Sequence, residues 1–339
     1  MRTDDFNYPL PPERIAQHPA DPRDSSRLLV YDRPSGRIED TIFNQLVRFL
    51  KKEDVLVLNE TRVLPARLWA RKRPGGGKVE LLLLRRIDQN TWEVLVGGKG
   101  LRAGRDLDLI GGGTCRVVQE LGGARRIIEF DSSIEERLPQ IGEMPLPPYI
   151  HEPLDHPDQY QTVFARDPGS AAAPTAGLHF TQPLLDRIAS IGVGMAFITL
   201  HVGLDTFAPV READPEQHQI HSEWCSISQS TADQINQRRA AGGRVIAIGT
   251  TTVRTLETAA RLSTRPWISA FEGPTRLFIL PGFEFFAVDA LVTNFHLPRS
   301  TLLMLVSAFT GREQILRLYQ HAITEEYRFY SFGDAMLIL

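Results

Sequence analysis

The chain has 339 residues, of which 42% are hydrophobic and 23% charged, and a formal net charge of −3, an ordinary composition for a globular protein with room for two domains. No apolar run approaches the roughly 18 residues of a membrane-spanning helix, and no apolar signal-peptide core is visible near Met1. The only cysteines, Cys115 and Cys225, form no redox or metal motif. The composition therefore predicts a cytoplasmic protein without a membrane segment. It also argues against a fold stabilised by disulfide bonds.

Basic residues are concentrated in one segment. From Arg62 to Arg105 the chain carries eleven Lys and Arg residues against three acids, a net +8 that leaves −11 for the remainder. A basic module on an acidic body favours a polyanionic partner such as a nucleic acid. A solvated surface on a small β module is the alternative interpretation.

The first 65 residues contain two short apolar runs and one helical pattern. Residues 28–31 and 55–58 are typical of strands, and the apolar spacing in 42–50 predicts a helix. The second run stops at a polar cluster in which Asn59 and Arg62 are candidate ligand groups. A salt-bridged arginine at a turn is the structural alternative.

Between residues 66 and 144 the pattern changes to short β-like runs separated by glycine clusters. About six such runs predict a small antiparallel barrel or sandwich. The glycines do not form a nucleotide-binding loop, because none opens a helix in a G-x-G-x-x-G or G-x-x-x-x-G-K pattern. We predict a discontinuous main domain, residues 1–65 and 145–339, carrying a β-barrel domain inserted at 66–144.

From residue 160 onward strands alternate with helices, which predicts a parallel sheet covered by helices. The predicted fold class is therefore α/β, with a parallel-sheet main domain and an inserted antiparallel β-barrel. Strands are predicted over 195–200, 244–248 and 287–292, and helices over 182–190, 229–241 and 298–309.

Polar or small residues follow three of these strands at their carboxyl ends. In open α/β sheets, ligands bind outside the carboxyl ends of the strands, so these groups are expected to share one crevice. A buried structural imidazole is the alternative for any single histidine. The strand-end residues are His201 with Gly203, Gly249 with Thr250 and Thr251, and Asn294 with His296.

A loop of small residues over 173–181 is expected to join that crevice. It carries Thr175, Gly177 and His179 and leads into a helix start, for which Thr181 is the predicted N-cap and Pro183 lies in the first turn. Backbone N–H groups at such a junction bind anionic or polar ligands. A tight structural turn is the alternative.

The spacing of His218, His221 and Glu223 permits a zinc site by residue type. The spacing is not the i, i+4 arrangement of H-E-x-x-H, and the segment has no helical period, so a metal is not expected. No G-x-S-x-G motif supports serine hydrolysis.

Longer motifs resemble one known family. They are PTAGLHF at 174–180, TLHVGLDTF at 199–207, HSE at 221–223, GTTTVRTLE at 249–257, TNFHLPRS at 293–300, YRFYSFGDAM at 327–336, NETRVLPAR at 59–67 and MPLPPYI at 144–150. By these motifs the chain resembles the S-adenosylmethionine:tRNA ribosyltransferase-isomerases of queuosine biosynthesis along nearly its whole length. It departs at Asp205, where the family usually has Gly, and at Glu60, where the family often has Asn or Asp.

The resemblance implies an α/β domain with an inserted β-barrel and a specific reaction. S-adenosylmethionine would donate its ribosyl part, as a substrate, to 7-aminomethyl-7-deazaguanine in a tRNA. Isomerisation would give epoxyqueuosine and release adenine and methionine. The partners implied are the tRNA and S-adenosylmethionine.

The chemistry assigns hypothetical roles to the candidate residues. A base must remove a proton beside the sulfonium, for which His179, His201, His221 or Glu223 are candidates. Asn294 and His296 are candidates for holding ribose or adenine, and Thr250, Thr251 and Arg254 for the methionine carboxylate. Asn59, Arg62, Thr175, Gly177 and Gly203 complete the substrate-binding set, and Arg71, Lys72 and Arg73 are the candidates for tRNA phosphates.

Two alternatives from other classes remain at this point. One is a tRNA-binding protein of the same fold that has lost catalysis. The other is a metal-dependent hydrolase built on His218, His221 and Glu223. A monomer is expected, because no helix shows the apolar seam of a coiled coil.

Overall fold

The computed structural model describes residues 1–203, 209–263 and 267–339. Asp205 lies outside the described residues. The chain divides into two compact units. The first comprises Met1–Arg62, Pro147–Asp167 and Ala173–Leu339, and the second comprises Val63–Leu146 with Pro168–Ala172. The domain limits drawn from the sequence at 66 and 144 stay a prediction.

The N-terminal residues supply four strands. They are β1 (Arg27–Asp32), β2 (Arg37–Ile42), β3 (Val55–Asn59) and β4 (Thr61–Val63). The helical pattern at 42–50 forms a 3-10 helix, Phe43–Phe49, whose apolar side chains Phe43 and Leu46 are buried. Every residue of β3 is buried, as expected for a continuous apolar run with strands on both sides.

The second unit contains a closed six-stranded antiparallel barrel, in the order β10–β7–β6–β5–β8–β9. Alternating side chains point inward, as Val79, Leu81 and Leu83 do on β6. A four-residue helix, α1 (Leu138–Ile141), follows the barrel. Its strands are β5 (Arg67–Arg73), β6 (Lys78–Arg86), β7 (Thr91–Gly97), β8 (Asp106–Leu109), β9 (Thr114–Gly122) and β10 (Arg125–Phe130).

The rest of the chain alternates strands with helices. The strands are β11 (Asp167–Ser170), β12 (Gly194–Leu200), β13 (Glu223–Ile227), β14 (Val245–Ile248), β15 (Phe271–Thr275), β16 (Ala290–Asn294) and β17 (Ala335–Ile338). The helices are α2 (Gln182–Ser190), α3 (Gln229–Ala240), α4 (Thr250–Leu262), α5 (Thr301–Thr310) and α6 (Arg312–Thr324).

Nine strands of the first unit form one sheet in the order β15–β13–β12–β3–β14–β16–β17–β1–β2. The central four, β12, β3, β14 and β16, run parallel, so their carboxyl ends meet at one edge. Toward both sides the sheet becomes mixed, because β13, β15, β17 and β2 join through antiparallel pairs. The predicted α/β class with an inserted barrel is confirmed, and its parallel part is the centre of the sheet.

Local signals predicted the starts of α2 and α3, whereas the helix predicted from residue 298 begins at Thr301, because the side chain of Ser300 caps it by accepting from the N–H of Leu303. Thr181 caps α2 by accepting from the N–H of Leu184 at 3.3 Å, as predicted. The strand expected over 287–292 begins later, at Ala290, because the N–H groups of Ala287 and Val288 donate to the buried carboxylate of Glu257 instead of a neighbouring strand. No helix of the described chain is both long and apolar enough to cross a bilayer.

Candidate active site

A narrow cleft lies at the carboxyl ends of β14 and β16. Among the predicted site residues, Thr175, Thr250, Thr251, Asn294 and His296 line it. They come from the loop before α2, the first turn of α4 and the residues at the end of β16. The parallel centre of the sheet thus brings together groups that are up to 121 positions apart in the sequence.

Gly249 makes the junction between β14 and α4 possible. Its φ of +92° is a conformation that residues with a side chain rarely adopt, and its N–H donates to the carbonyl of Val292 at 2.8 Å. As the N-cap of α4 it offers no side-chain acceptor. The first turn of α4, at Thr250 and Thr251, therefore faces the cleft without a side-chain cap.

Asn59 ties the strand ends together. Its Nδ2 donates to the carbonyl of Leu200 at 3.0 Å and to Oγ1 of Thr251 at 3.4 Å, and its Oδ1 accepts from the N–H groups of Leu200 and Thr61. The side chain is buried. Both atoms of its amide are bonded to protein groups, on β12, β4 and α4. Asn59 therefore holds the strand ends in place.

His179 is a buried and fully engaged imidazole. Its Nδ1 lies 2.8 Å from Oγ of Ser26, its Nε2 lies 3.2 Å from Nδ2 of Asn294, and its ring stacks on Phe43. Burial lowers the pKa of His179 to about 3, so the ring is neutral. Because the amide nitrogen of Asn294 can only donate, Nε2 accepts, and the ring proton lies on Nδ1.

Asn294 keeps an acceptor for something else. Its Nδ2 also donates to the carbonyl of Tyr330 at 3.1 Å, and since a carbonyl accepts only, the orientation of the amide is determined. The remaining atom, Oδ1, is buried and has no hydrogen-bond partner in the described chain. A buried acceptor without a partner costs about 1–3 kcal/mol, so the site is one that a donor from a ligand would complete.

His296 has a second network on the same strand end. Its backbone N–H donates to the hydroxyl of Tyr319 at 2.9 Å, and that hydroxyl lies 3.3 Å from Nδ1 of the ring. Nε2 lies 3.3 Å from Oγ1 of Thr293. Burial lowers the pKa of His296 to about 3. In the tautomer in which the Tyr319 hydroxyl donates to Nδ1, the neutral ring donates from Nε2 to Oγ1 of Thr293.

His201 differs from these two imidazoles because it is only half-buried. Its Nδ1 lies 2.8 Å from Oγ1 of Thr61, and its ring stacks on Trp224 with centroids 5.2 Å apart. Burial lowers the pKa of His201, against the opposing field of Asp167. No partner of Nε2 exists among the described residues, so in the tautomer in which Nδ1 donates to Oγ1 of Thr61, a neutral His201 has an available lone pair on Nε2.

Glu223 and Arg254 form a buried ion pair, with the guanidinium donating to Oε2 of the carboxylate. Oε1 accepts from the N–H of Gly203 at 2.9 Å, and Nε of Arg254 donates to the carbonyl of Leu277 at 3.0 Å. Nη2 of Arg254 is buried without a partner in the described ranges. The carboxylate thus anchors the segment after β12 to α4.

The zinc alternative receives no support from the geometry. Nδ1 of His218 pairs with Glu212 at 2.9 Å, His221 is exposed, and Glu223 is held by Arg254. Within 1–203, 209–263 and 267–339, no group of three or more His, Cys, Asp or Glu side chains is arranged to hold a metal ion.

The other predicted substrate-binding residues occupy different settings. A side chain at Gly177 would meet Phe164 and Thr162 at 2.9 Å, so glycine is needed there for packing. Arg62 is exposed on β4. Thr175 begins the 3-10 helix Thr175–His179, which places His179 against β16.

The three predicted tRNA contacts lie on β5 of the barrel. Arg71 and Arg73 are exposed and Lys72 is half-buried. Lys72 donates to the carbonyl of Lys99 at 3.0 Å, and Nε of Arg73 donates to Asp108 at 2.7 Å. Their cationic heads thus lie at the surface of the barrel.

Sequence reasoning did not find the side chains that orient the imidazoles. Ser26, Thr61 and Tyr319 each contact one histidine. Ser26 is 153 positions from His179, and Thr61 is 140 positions from His201. No local sequence pattern predicts which hydroxyl will contact a histidine so far away in the chain.

Comparison with known proteins points to one family. A curated S-adenosylmethionine:tRNA ribosyltransferase-isomerase of Symbiobacterium thermophilum is 54% identical over 347 residues, and one of Staphylococcus haemolyticus is 52% identical over 343 residues, in each case over 100% of both chains. A crystal structure of an S-adenosylmethionine tRNA ribosyltransferase from Thermotoga maritima is 39% identical, with a TM-score of 0.58, over 99% of this chain and 100% of its own.

The profile of the family described as queuosine biosynthesis protein matches residues 3–338. This match and the full-length relatives confirm the resemblance drawn from the motifs. The chain therefore belongs to the queuosine biosynthesis protein family.

Proposed function

We propose that this protein is an S-adenosylmethionine:tRNA ribosyltransferase-isomerase. It transfers the ribosyl part of S-adenosylmethionine to 7-aminomethyl-7-deazaguanine in tRNA and isomerises it, forming epoxyqueuosine and releasing adenine and methionine. The observation that carries the proposal is identity of about half the residues over the whole of two relatives that bear this activity in their names. The strand-end cleft, lined by the neutral imidazole of His296, supports it.

Among the candidate bases, His201 is the one we place first. Proton removal beside the sulfonium needs a neutral group with an available lone pair. Both nitrogens of His179 and both oxygens of Glu223 are engaged by protein groups, whereas in the described structure His201 uses only Nδ1. His221, whose side chain is exposed, is the next candidate for the general base.

The remaining site residues divide by the part of the substrate they suit. Thr250 and Thr251 present hydroxyl and helix N-terminal N–H groups, which suit a carboxylate. His296 and Thr293 present a hydroxyl network suited to ribose or adenine. Arg71, Lys72 and Arg73 are the proposed phosphate contacts of the tRNA.

We further propose that the enzyme acts in the cytoplasm as a monomer. Neither an inactive tRNA-binding protein nor a metal-dependent hydrolase is favoured by the family or by the cluster at His218, His221 and Glu223.

The test is incubation with S-adenosylmethionine and a tRNA bearing 7-aminomethyl-7-deazaguanine, followed by nucleoside mass analysis and an assay of free adenine. We expect epoxyqueuosine and adenine in equal amounts. The matched control is the same tRNA with guanine in place of the modified base, which should release no adenine. Binding of both substrates without either product would reject the catalytic proposal.

A further inference from the structure

We infer that the cleft between α4 and β16 binds the α-amino acid end of S-adenosylmethionine as a zwitterion, with its carboxylate on the first turn of α4 and its α-ammonium on Oδ1 of Asn294. The inference rests on the proposed function, which supplies the ligand. It assigns Asn294 to the methionine part of the substrate and leaves ribose and adenine to other groups.

The carboxylate half of the inference follows from the first turn of α4. This helix has 13 residues, and its N-cap, Gly249, provides no side chain to accept from the first-turn N–H groups. Thr250 and Thr251 line the cleft and add hydroxyl donors. Uncapped N–H groups together with the helix dipole favour an anion at this position.

The proposed position of the α-ammonium follows from Asn294. This observation does not depend on the first turn of α4. Asn294 is 3% exposed and lines the same cleft, and its Oδ1 has no partner within 1–203, 209–263 and 267–339. Because Nδ2 is held by His179 and the carbonyl of Tyr330, the amide cannot turn to hide this oxygen. An acceptor locked in this way selects a donor, and it would repel a carboxylate.

The charge of the cleft agrees with a ligand end that is neutral overall. No Asp, Glu, Lys or Arg side chain is among the described residues that line it. His296, its one titratable lining group, is held neutral by burial and by contacts with Thr293 and Tyr319. A zwitterion can therefore be bound by dipoles alone, without leaving a buried charge unpaired.

His179 acts in this scheme as a positioning residue. Its Nε2 accepts one N–H of Asn294, and its Nδ1 is anchored on Ser26. The ring thereby determines which atom of the amide faces the ligand. A protonated or rotated ring would release the amide and remove the acceptor for the ammonium.

The first experiment removes one backbone N–H and one hydroxyl from the first turn of α4. Thr250→Pro keeps the helix start, because proline is tolerated at the first helical position. Adenine release is measured with S-adenosylmethionine and with its decarboxylated analogue, which keeps the amine. The control, Gln229→Pro, makes the same change at the first position of α3, whose N-cap is Ser228.

We expect wild-type enzyme to prefer S-adenosylmethionine over the decarboxylated analogue in kcat/KM by about 10- to 100-fold. Thr250→Pro should lose most of that preference through a higher KM for S-adenosylmethionine, and Gln229→Pro should keep it. An unchanged preference in Thr250→Pro, or an equal loss with both substrates, would overturn the inference. Absence of adenine release by wild-type enzyme would instead reject the proposed function.

The second experiment separates the ammonium from the adenine as the partner of Asn294. In Asn294→Ala, discrimination against the deaminated analogue of S-adenosylmethionine should fall toward onefold, while product inhibition by free adenine stays within about twofold. If Asn294→Ala instead weakens inhibition by adenine tenfold and still discriminates against the deaminated analogue, the partner of Asn294 is adenine and the inference is wrong. If this variant does not fold, wild-type kcat/KM for S-adenosylmethionine and for its deaminated analogue decides, and equal values would overturn the assignment of the ammonium.

Discussion

Nδ2 of Asn294 donates to Nε2 of His179 at 3.2 Å, across 115 positions of sequence, and this contact determines which ring nitrogen carries the proton. The same amide donates to the carbonyl of Tyr330. One asparagine therefore couples the loop before α2, the end of β16 and the segment before β17.

Acidification is expected to destabilise the fold through its buried histidines. Burial lowers the pKa of both His179 and His296 to about 3, whereas an imidazole in the unfolded chain titrates near 6.5. Below about pH 6.5 the unfolded state binds more protons, so the free energy of unfolding falls by up to about 1.4 kcal/mol per pH unit for each ring. Above that pH this contribution is fully present. Urea unfolding between pH 7.5 and 5 measures the slope.

The slope can be assigned to His179 by substitution. His179→Gln removes one titrating group, so its free energy of unfolding should fall less steeply with acid than that of wild-type protein. His151→Gln, at an exposed histidine, should follow the wild-type curve. Parallel curves for all three proteins would show that the buried ring does not drive the acid sensitivity.

Replacing His201 is expected to slow the chemical step. His201→Gln removes the available basic nitrogen and should lower kcat by about 100-fold or more, with little change in KM for S-adenosylmethionine. Since burial lowers the pKa of His201, wild-type kcat should stay high at neutral pH and fall on the acid side below the usual histidine range. Single-turnover adenine release over pH 5–8 measures both.

His218→Gln is the matched control, because His218 is held by Glu212 at 2.9 Å and has no proposed role in the reaction. It should keep the wild-type rate and pH profile. A His201→Gln enzyme with wild-type kcat would remove His201 from the mechanism and make His221 the first candidate.

The buried pair of Glu223 and Arg254 is expected to be strongly coupled. Glu223→Gln keeps Oε1 for the N–H of Gly203 but leaves a buried guanidinium uncompensated, and breaking such a pair costs about 3–5 kcal/mol. Adding Arg254→Met should recover part of the loss, with a coupling energy of about 1–3 kcal/mol. Denaturant unfolding of the two single variants and the double variant measures it.

The pair of Arg37 with the half-buried Glu39 is the reference for that cycle. Arg37 is exposed, and the carboxylate of Glu39 keeps Arg48 at 3.0 Å when Arg37 is replaced, so the coupling should stay below about 1 kcal/mol. Equal coupling in the two pairs would mean that burial adds nothing to the interaction of Glu223 with Arg254.

The basic strand β5 is expected to contribute phosphate contacts to tRNA binding. Replacing Arg71, Lys72 and Arg73 by alanine should weaken binding and reduce the slope of log K against log salt concentration by about three. Titration of labelled tRNA at several salt concentrations measures the slope, and thermal melting checks that the barrel survives loss of the contact with Asp108.

The control replaces basic residues elsewhere. Arg37, Lys51 and Lys52 lie outside the segment 62–105 and are exposed, so the same triple change to alanine should leave the salt slope unchanged. Equal effects of both triple variants would indicate a diffuse electrostatic attraction and no contact surface on β5.

The sequence was a good guide wherever the signal was local. The short β-like runs separated by glycine clusters identified the barrel, and the continuous apolar run in β3 identified a strand of the sheet. Tight turns between short strands and burial of a strand on both faces each leave a pattern within a few residues. Thr181 and Pro183 marked the start of α2 through capping chemistry that spans only three residues. The late start of β16 was missed because Glu257, 30 positions earlier, captures the N–H of Ala287.

By itself the sequence determined the family, the fold class and the residue types that gather at the strand ends, because those depend on motif identity, hydrophobic period and turn chemistry. Only the tertiary structure decided the partner of each polar group. Sheet order places Asn59 against Thr251, the loop before α2 places His179 against Ser26, and the end of β16 leaves Oδ1 of Asn294 without a partner among the described residues. Hydrogen bonds depend on distances between atoms far apart in the chain, and the strand order that sets those distances exists only in the folded protein.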